Sequence, residues 1–252
     1  MASLLKNIVK AAQNSLVSQK GKDLQYCLTA IKDQVAHLKC EDIDFHKSIL
    51  EDNRKFDPGI HDAPVTYVGI FENENFSIGI FIVRNGQRLP LHDHPNMSGV
   101  LKLIHGKVTI ESYTEDPNQA VPEHVLNGFK SRHRLIKSVI PNPKRTIDTT
   151  SEPCVLTPTD SNFHEIRAVG GTAAFFDILF PPYDQITGSR LCKYYKVIGT
   201  AAEESVKEPS PKVAKLSHKP SPFRYIMEVP QPSEFWCDSL KYLGPKLGDF
   251  DD

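Results

Sequence analysis

Residues 88 to 95 read "RLPLHDHP". An apolar, strand-like approach leads into two histidines separated by one aspartate. On a strand, residues two apart share a face, so His92 and His94 project together while Asp93 points the other way. Two imidazoles side by side on an inner wall are costly unless something satisfies them, and a divalent metal does so. Two neighbouring surface histidines would give the same letters, so the pair alone leaves both readings open.

The surrounding spacing is more specific. In "GQRLPLHDHPNMSGVLKLIHG", Gly86 and Gly106 bracket His92, His94 and Gly99. The pattern resembles the first motif of the cupin superfamily, in which a glutamate stands where this chain has Gly99. The superfamily's second motif supplies one more histidine. "TPTDSNFHEIRAV" offers His164, opening a strand after a proline and a turn. The candidate ligand set is therefore His92, His94 and His164. Iron sites of the 2-oxoglutarate type need a carboxylate two residues after the first histidine. That position is His94 here, and Gly99 supplies no acid either. Three neutral ligands would leave Fe(II) its full charge and about three open positions, which suits a thiolate together with dioxygen.

The elements that must position these residues are mostly strands. "VTYVGIF", "FSIGIFIV", "VLKLI", "KVTIESY", "RLIKSVI", "EIRAV", "AAFFDILF", "YYKVI" and "RYIMEV" are short β-branched and aromatic runs divided by turn-forming pieces. They predict an antiparallel sandwich or barrel. Asn85-Gly86 in "VRNGQ" predicts a tight hairpin. Before them, two helical stripes recur: Leu5, Ile8, Val9, Ala12 and Leu16, then Leu24, Leu28, Ile31, Val35 and Leu38. The expected organisation is a helical segment, residues 1–45, packing on a barrel domain, residues 46–252. Residues 115–128 and 201–222 read as stretches without packed structure, the second as a mobile surface loop.

Longer pieces sharpen the resemblance. "LPLHDHPNMSGVLKLIHGKVTIESY", "NFHEIRAVGGTAAFFDILFPPYD", "CKYYKV" and "EFWCDSLKYLGPK" resemble the family of cysteamine (2-aminoethanethiol) dioxygenases and plant cysteine oxidases, from about residue 60 to the C-terminus. The resemblance implies a mainly β, jelly-roll-like double-stranded β-helix holding Fe(II) on His92, His94 and His164. It also implies a reaction that adds both atoms of O2 to a thiol sulfur, giving a sulfinic acid. Implied substrates are cysteamine, yielding hypotaurine, and proteins or peptides with an N-terminal cysteine, whose oxidation serves oxygen sensing.

Four further residues carry over with roles. Asp177 is the lone acid in "AAFFDILF" and needs a partner if buried. The resemblance offers the substrate's ammonium or a supporting network; the plain alternative is an edge or turn carboxylate. Tyr183 matches a pocket tyrosine whose hydroxyl could reach a bound oxygen species, and a tyrosine packed under a turn fits equally. Cys192 and Tyr194 share a strand face, and animal members of the family can join this pair by a thioether bond. A buried thiol beside an aromatic ring fits the same spacing. Two competing functions remain: a non-catalytic cupin binding a metal or small ligand, and a zinc- or manganese-dependent isomerase or decarboxylase.

Composition excludes other classes. With 30 basic and 31 acidic residues the net charge is −1, so nothing draws the chain to nucleic acid or an anionic membrane. No apolar run approaches the roughly 18 residues of a bilayer span. The five cysteines are scattered, without a CxxC pair, which argues for a reducing compartment. Cys27, Cys40, Cys154 and Cys237 read as buried or inert thiols. His105 reads as a turn residue, and His37, His46, His61, His124, His133 and His218 as surface residues. The N-terminus is amphipathic and acid-free but lacks arginine. The expected location is therefore the cytosol, with the nucleus open to it and mitochondrial import less favoured. A monomer is expected.

Overall fold

In a computed structural model, residues 2–16, 24–43, 47–129, 135–200, 223–244 and 247 are described. The loop expected over 201–222, and His46, His133 and His218, lie outside them. Helices α1 (Ala2–Leu16) and α2 (Leu24–Ala36) are followed by the short α3 (Ser48–Glu51). Strands β1 (Val65–Glu72), β2 (Ser77–Val83), β3 (Arg88–His92), β4 (Ser98–His105) and β5 (Lys107–Glu115) come next. A one-turn helix, α4 (Glu123–Asn127), precedes β6 (Ile136–Pro141), β7 (Arg145–Asp148), β8 (Cys154–Leu156), β9 (Phe163–Ala168) and β10 (Ala173–Phe180). The chain ends with β11 (Tyr194–Thr200), β12 (Arg224–Val229) and β13 (Cys237–Ser239).

Two sheets result. One runs β13-β1-β2-β10-β4-β8, and the other β6-β12-β11-β3-β9-β5-β7. An extra pairing of β6 with β5 closes six strands of the second sheet into a ring. The expected mainly β barrel with an N-terminal helical segment is what forms.

The central strands of the first sheet are buried on both faces, and β10 shows why. Ala174, Phe176, Ile178 and Phe180 face outward into a cluster with Leu5, Ile8, Val9, Leu28 and Ile31 of α1 and α2. Each such side chain, fully buried, contributes roughly 1.5–3 kcal/mol. The alternate residues face inward: Phe175 joins Leu89, Leu101, Leu103 and Ile166 between the sheets. This two-sided burial makes "AAFFDILF" read as a continuous apolar run. By the same alternation Asp177 and Leu179 face inward, where both line a cavity.

Three expectations change. Asn85-Gly86 does not make a hairpin. Gly86 alone takes a left-handed φ of +79° and Gln87 N–H closes on Arg84 O at 2.9 Å. A positive φ at the third position only is the type II pattern, whereas the hairpin turn I′ needs two. The turn therefore passes the chain from β2 in one sheet to β3 in the other. Residues 115–128 are not bare loop, because Val121, Val125 and Leu126 cover Ile136, Tyr225 and Met227. His61 is buried, not on the surface: its ring accepts from Asp57 N–H at 2.9 Å, lies 3.0 Å from Asp52 and stacks on Phe56.

Candidate metal centre and its pocket

His92 reaches the cavity through a break in strand period. Along the β3–β9 pairing, Leu89 is opposite Ile166 and His92 is opposite His164. Three steps on β3 match two on β9, so one residue is extra. That β-bulge falls at Pro90-Leu91, where a proline lacking an N–H costs no ladder bond. The extra residue puts His92 on the same face as Leu89 instead of the opposite one. Leu91 turns away into a separate cluster with Val139, Phe163, Tyr195 and Ile226. His94 follows just beyond the strand end, and His164 sits in β9 with Ser112 of β5 on its other side.

The three imidazoles are buried, and their ligand nitrogens lie within 4.8 Å of one another. His94 Nε2 and His164 Nε2 are 3.1 Å apart. Two nitrogens each about 2.1 Å from one ion, at a right angle, would lie about 3.0 Å apart. Protonation is suppressed throughout. Burial pulls His92 down to about 4, and burial with mutual repulsion holds His94 and His164 well below the ordinary range. Neutral imidazoles with free lone pairs are the form a metal requires.

The back sides of two of the imidazoles are fixed. His92 Nδ1–H donates to Pro90 O at 2.8 Å. Tyr183 donates its hydroxyl proton to Asp93 O at 2.7 Å, so at 2.9 Å its oxygen accepts from His94 Nδ1–H. Both bonds leave Nε2 as the lone pair facing the cluster. The Asn162 side chain grips the His94 backbone from both ends, accepting from its N–H at 3.1 Å and donating to its carbonyl at 2.8 Å. Asn162 was not legible as a site residue, because an asparagine in "TDSNF" reads as turn chemistry. Its position two residues before His164 was the available signal.

The histidines open onto a cavity of about 350 Å³ between the sheets. Phe81, Leu89, Leu101, Phe175 and Leu179 make it apolar, and Asp177, Tyr183, Cys192 and Tyr194 complete its polar part. All seven residues singled out in the sequence thus line one pocket. Asp177 is buried, receives no hydrogen bond from any described residue, and burial pushes its carboxyl up to about 7. Cys192 is a free thiol, and burial raises it to about 11. Asp93 points away from the cluster: Lys193 N–H donates to its Oδ1 at 2.9 Å and Tyr195 to its Oδ2 at 2.8 Å.

Gly99 lies in β4 beside this region. A Cβ there would meet Leu179 Cδ2 at 2.8 Å, so the position where cupins carry glutamate is filled by neighbouring apolar side chains. One part of the pocket was missed. Gln231, Phe235, Trp236 and Cys237, after β12, line its mouth. Cys237 is exposed rather than buried, while Cys27 is buried and Cys40 and Cys154 are half-buried. Trp236 is fixed by its indole N–H to Asp62 O at 2.8 Å and by edge contact with Phe56.

A double-layered β-barrel with three neutral imidazoles converging on its cavity defines a cupin with a candidate metal centre. A sequence model of the PCO_ADO family matches residues 33–247. The 2-aminoethanethiol dioxygenase of Homo sapiens is 35% identical over 232 residues, covering 87% of this chain and 81% of that protein. Plant cysteine oxidase 1 of Arabidopsis thaliana is 33% identical over 137 residues, covering 52% of this chain and 41% of that protein. A cupin superfamily protein from Desulfitobacterium hafniense superposes with a TM-score of 0.32 at 11% identity, over 51% of this chain and 82% of its own. The chain belongs to the PCO_ADO family.

Proposed function

We propose that this protein is an Fe(II)-dependent thiol dioxygenase that converts cysteamine, and the N-terminal cysteine of peptides and proteins, to sulfinic acids. The observation that carries this reading is one cavity with three buried, neutral imidazoles on one wall and, on the other, a carboxyl without a hydrogen-bond partner among the described residues. An aminothiol has complementary groups, a sulfur for a metal and an ammonium for a carboxylate. Family membership points the same way, since its relatives bear the names 2-aminoethanethiol dioxygenase and plant cysteine oxidase.

His92, His94 and His164 would hold the iron, which when bound would acidify a thiol and gather thiol and dioxygen at one centre. The residues of the chain do the rest. Asp177 meets the substrate's ammonium, and that pairing offsets the cost of ionising a buried carboxyl. Tyr183 holds His94 in the tautomer that binds metal, so its hydroxyl acts behind the ligand. Cys192 and Tyr194 shape the cavity wall and are the pair that would form the thioether. Phe81, Leu89, Leu101 and Phe175 keep water out of the reacting volume. The balance is R–SH + O2 → R–SO2H: both oxygens bond to sulfur, the proton is retained, and the thiol supplies every electron.

Residues 1–45 act as a helical cover on the barrel of residues 46–252. The work is done by a monomer in the cytosol or nucleus, in keeping with five cysteines that form no disulfide among the described residues.

An oxygen electrode tests the reading. Protein loaded with Fe(II) should consume O2 when given cysteamine or a Cys-initiated peptide, and not when given the S-methylated analogue. No uptake with either thiol refutes it.

A further inference from the structure

Strands β3 and β11 must lie side by side for Cys192 and Tyr194 to face the histidines, yet their ladder is minimal. It consists of one register pair, Tyr194 opposite His92. The register of β11 itself is set by its longer ladder with β12, where Tyr194 is opposite Val229 and Tyr195 opposite Glu228, but Cys192 and Lys193 precede that ladder. What ties this leading segment to β3 is Asp93, the residue between His92 and His94. Its backbone N–H donates to Lys193 O at 3.1 Å, and Lys193 N–H returns a bond to Asp93 Oδ1 at 2.9 Å. Its Oδ2 accepts from the Tyr195 hydroxyl at 2.8 Å. Lys193 and Tyr195 alternate with Cys192 and Tyr194. By gripping the two residues that face away, Asp93 keeps their alternates, Cys192 and Tyr194, turned inward. Its carbonyl oxygen also accepts the Tyr183 hydroxyl at 2.7 Å, so the same residue steadies His94.

We propose that Asp93 is a positioning residue whose carboxylate clamps the Cys192–Tyr194 segment against the histidine cluster. The proposal deepens the thiol dioxygenase reading and rests on it for the consequence in turnover. A carboxylate is suited to the task because both oxygens accept, one from an amide and one from a phenol. Alanine offers neither acceptor. Asparagine keeps one acceptor for Lys193 N–H and turns its amide toward the tyrosine oxygen.

The test uses full-length, anaerobically prepared protein carrying Asp93→Ala, Asp93→Asn or Tyr195→Phe. Four quantities are read: iron per chain, melting temperature, kcat and KM for cysteamine, and the rate of Cys192 alkylation by iodoacetamide, followed by peptide mass. Asp93→Ala should keep its iron, alkylate at Cys192 about tenfold faster and lose about tenfold in kcat, the worth of one buried hydrogen bond. KM should change less than kcat. Asp93→Asn should recover most of both losses, and Tyr195→Phe should move both in the same direction by a smaller factor. Unchanged alkylation and kcat in Asp93→Ala would overturn the proposal. So would a loss of kcat that only tracks lost iron, since Asp93 would then act on the histidines alone. If Asp93→Ala does not fold, Tyr195→Phe decides on the same two readings. Should the parent consume no oxygen with thiols, the dioxygenase reading fails, while the alkylation rates still judge the clamp.

Discussion

On one wall of the cavity, carried by β3 and β9, the imidazoles of His92 and His94 are held from behind by Pro90 O and the Tyr183 hydroxyl, and His164 is fixed within a paired strand. On the facing wall, β10 presents Asp177, whose carboxyl receives no hydrogen bond from any described residue. Both walls are buried and both carry ionisable groups, so burial does not separate them. What differs is prior commitment. The histidine wall is preorganised, as suits a group that stays bound. The Asp177 wall keeps an unmet need that a passing cation can fill.

The largest effect expected of breaking this contrast is on the committed wall. His164→Ala should abolish iron binding, read by elemental analysis, while the fold survives; stoichiometric iron in that variant would mean the third ligand is another residue. On the uncommitted wall, Asp177→Asn should lower kcat/KM for cysteamine about 100-fold, or about 2.7 kcal/mol, with iron content unchanged. Discrimination between cysteamine and a thiol lacking an amine should collapse with it. Equal discrimination in parent and variant would remove Asp177 from ammonium recognition.

The same residue gives a pH signature. Its carboxyl is raised from 3.8 to about 7 in the folded, metal-free protein. The folded state thus keeps a proton that the unfolded chain releases near pH 4. The stability that Asp177 contributes is fully present below that, falls as pH rises to about 7, and is level above it. The loss is on the order of 4 kcal/mol. Chemical denaturation of metal-free parent and Asp177→Asn at pH 4 and pH 8 should show the variant gaining relative to the parent at the higher pH. A constant difference would mean that Asp177 is ionised without cost.

Smaller effects follow. Tyr183→Phe removes the bond behind His94 and should weaken iron affinity by about 10-fold or more, the usual range for such supports, measurable by chelator competition. Gly99→Ala pushes a Cβ to 2.8 Å from Leu179 and should cost roughly 1–3 kcal/mol in denaturant unfolding without touching metal content.

Much of the histidine wall was legible because its chemistry is local: an H-x-H pair inside a glycine frame, then one further histidine opening a strand. Asp177 stood out as the only acid in an apolar run, and its inward aim follows from strand alternation once helices cover the other face. Long-range relations were not legible. Asn162 clamps a backbone 68 residues away. Phe235 and Trp236 lie in a stretch that carried the family resemblance but no signal of a role at the pocket. His61 looked like surface because its partners, Asp52 and Asp57, are ordinary charged loop residues until the chain folds them around it. Asn85-Gly86 named a turn correctly but not its type, since the choice depends on which sheet receives the next strand.

The bulge at Pro90-Leu91 makes the site a matter of phase as much as of composition. In an unbulged strand, Leu89, Leu91 and Asp93 would share the inner face and both histidines would be turned out. Grafting "HDH" onto another barrel strand in plain alternation, counted from the last apolar inward residue, would therefore offer the cavity an aspartate. The portable unit is the histidine pair together with the one surplus residue ahead of it.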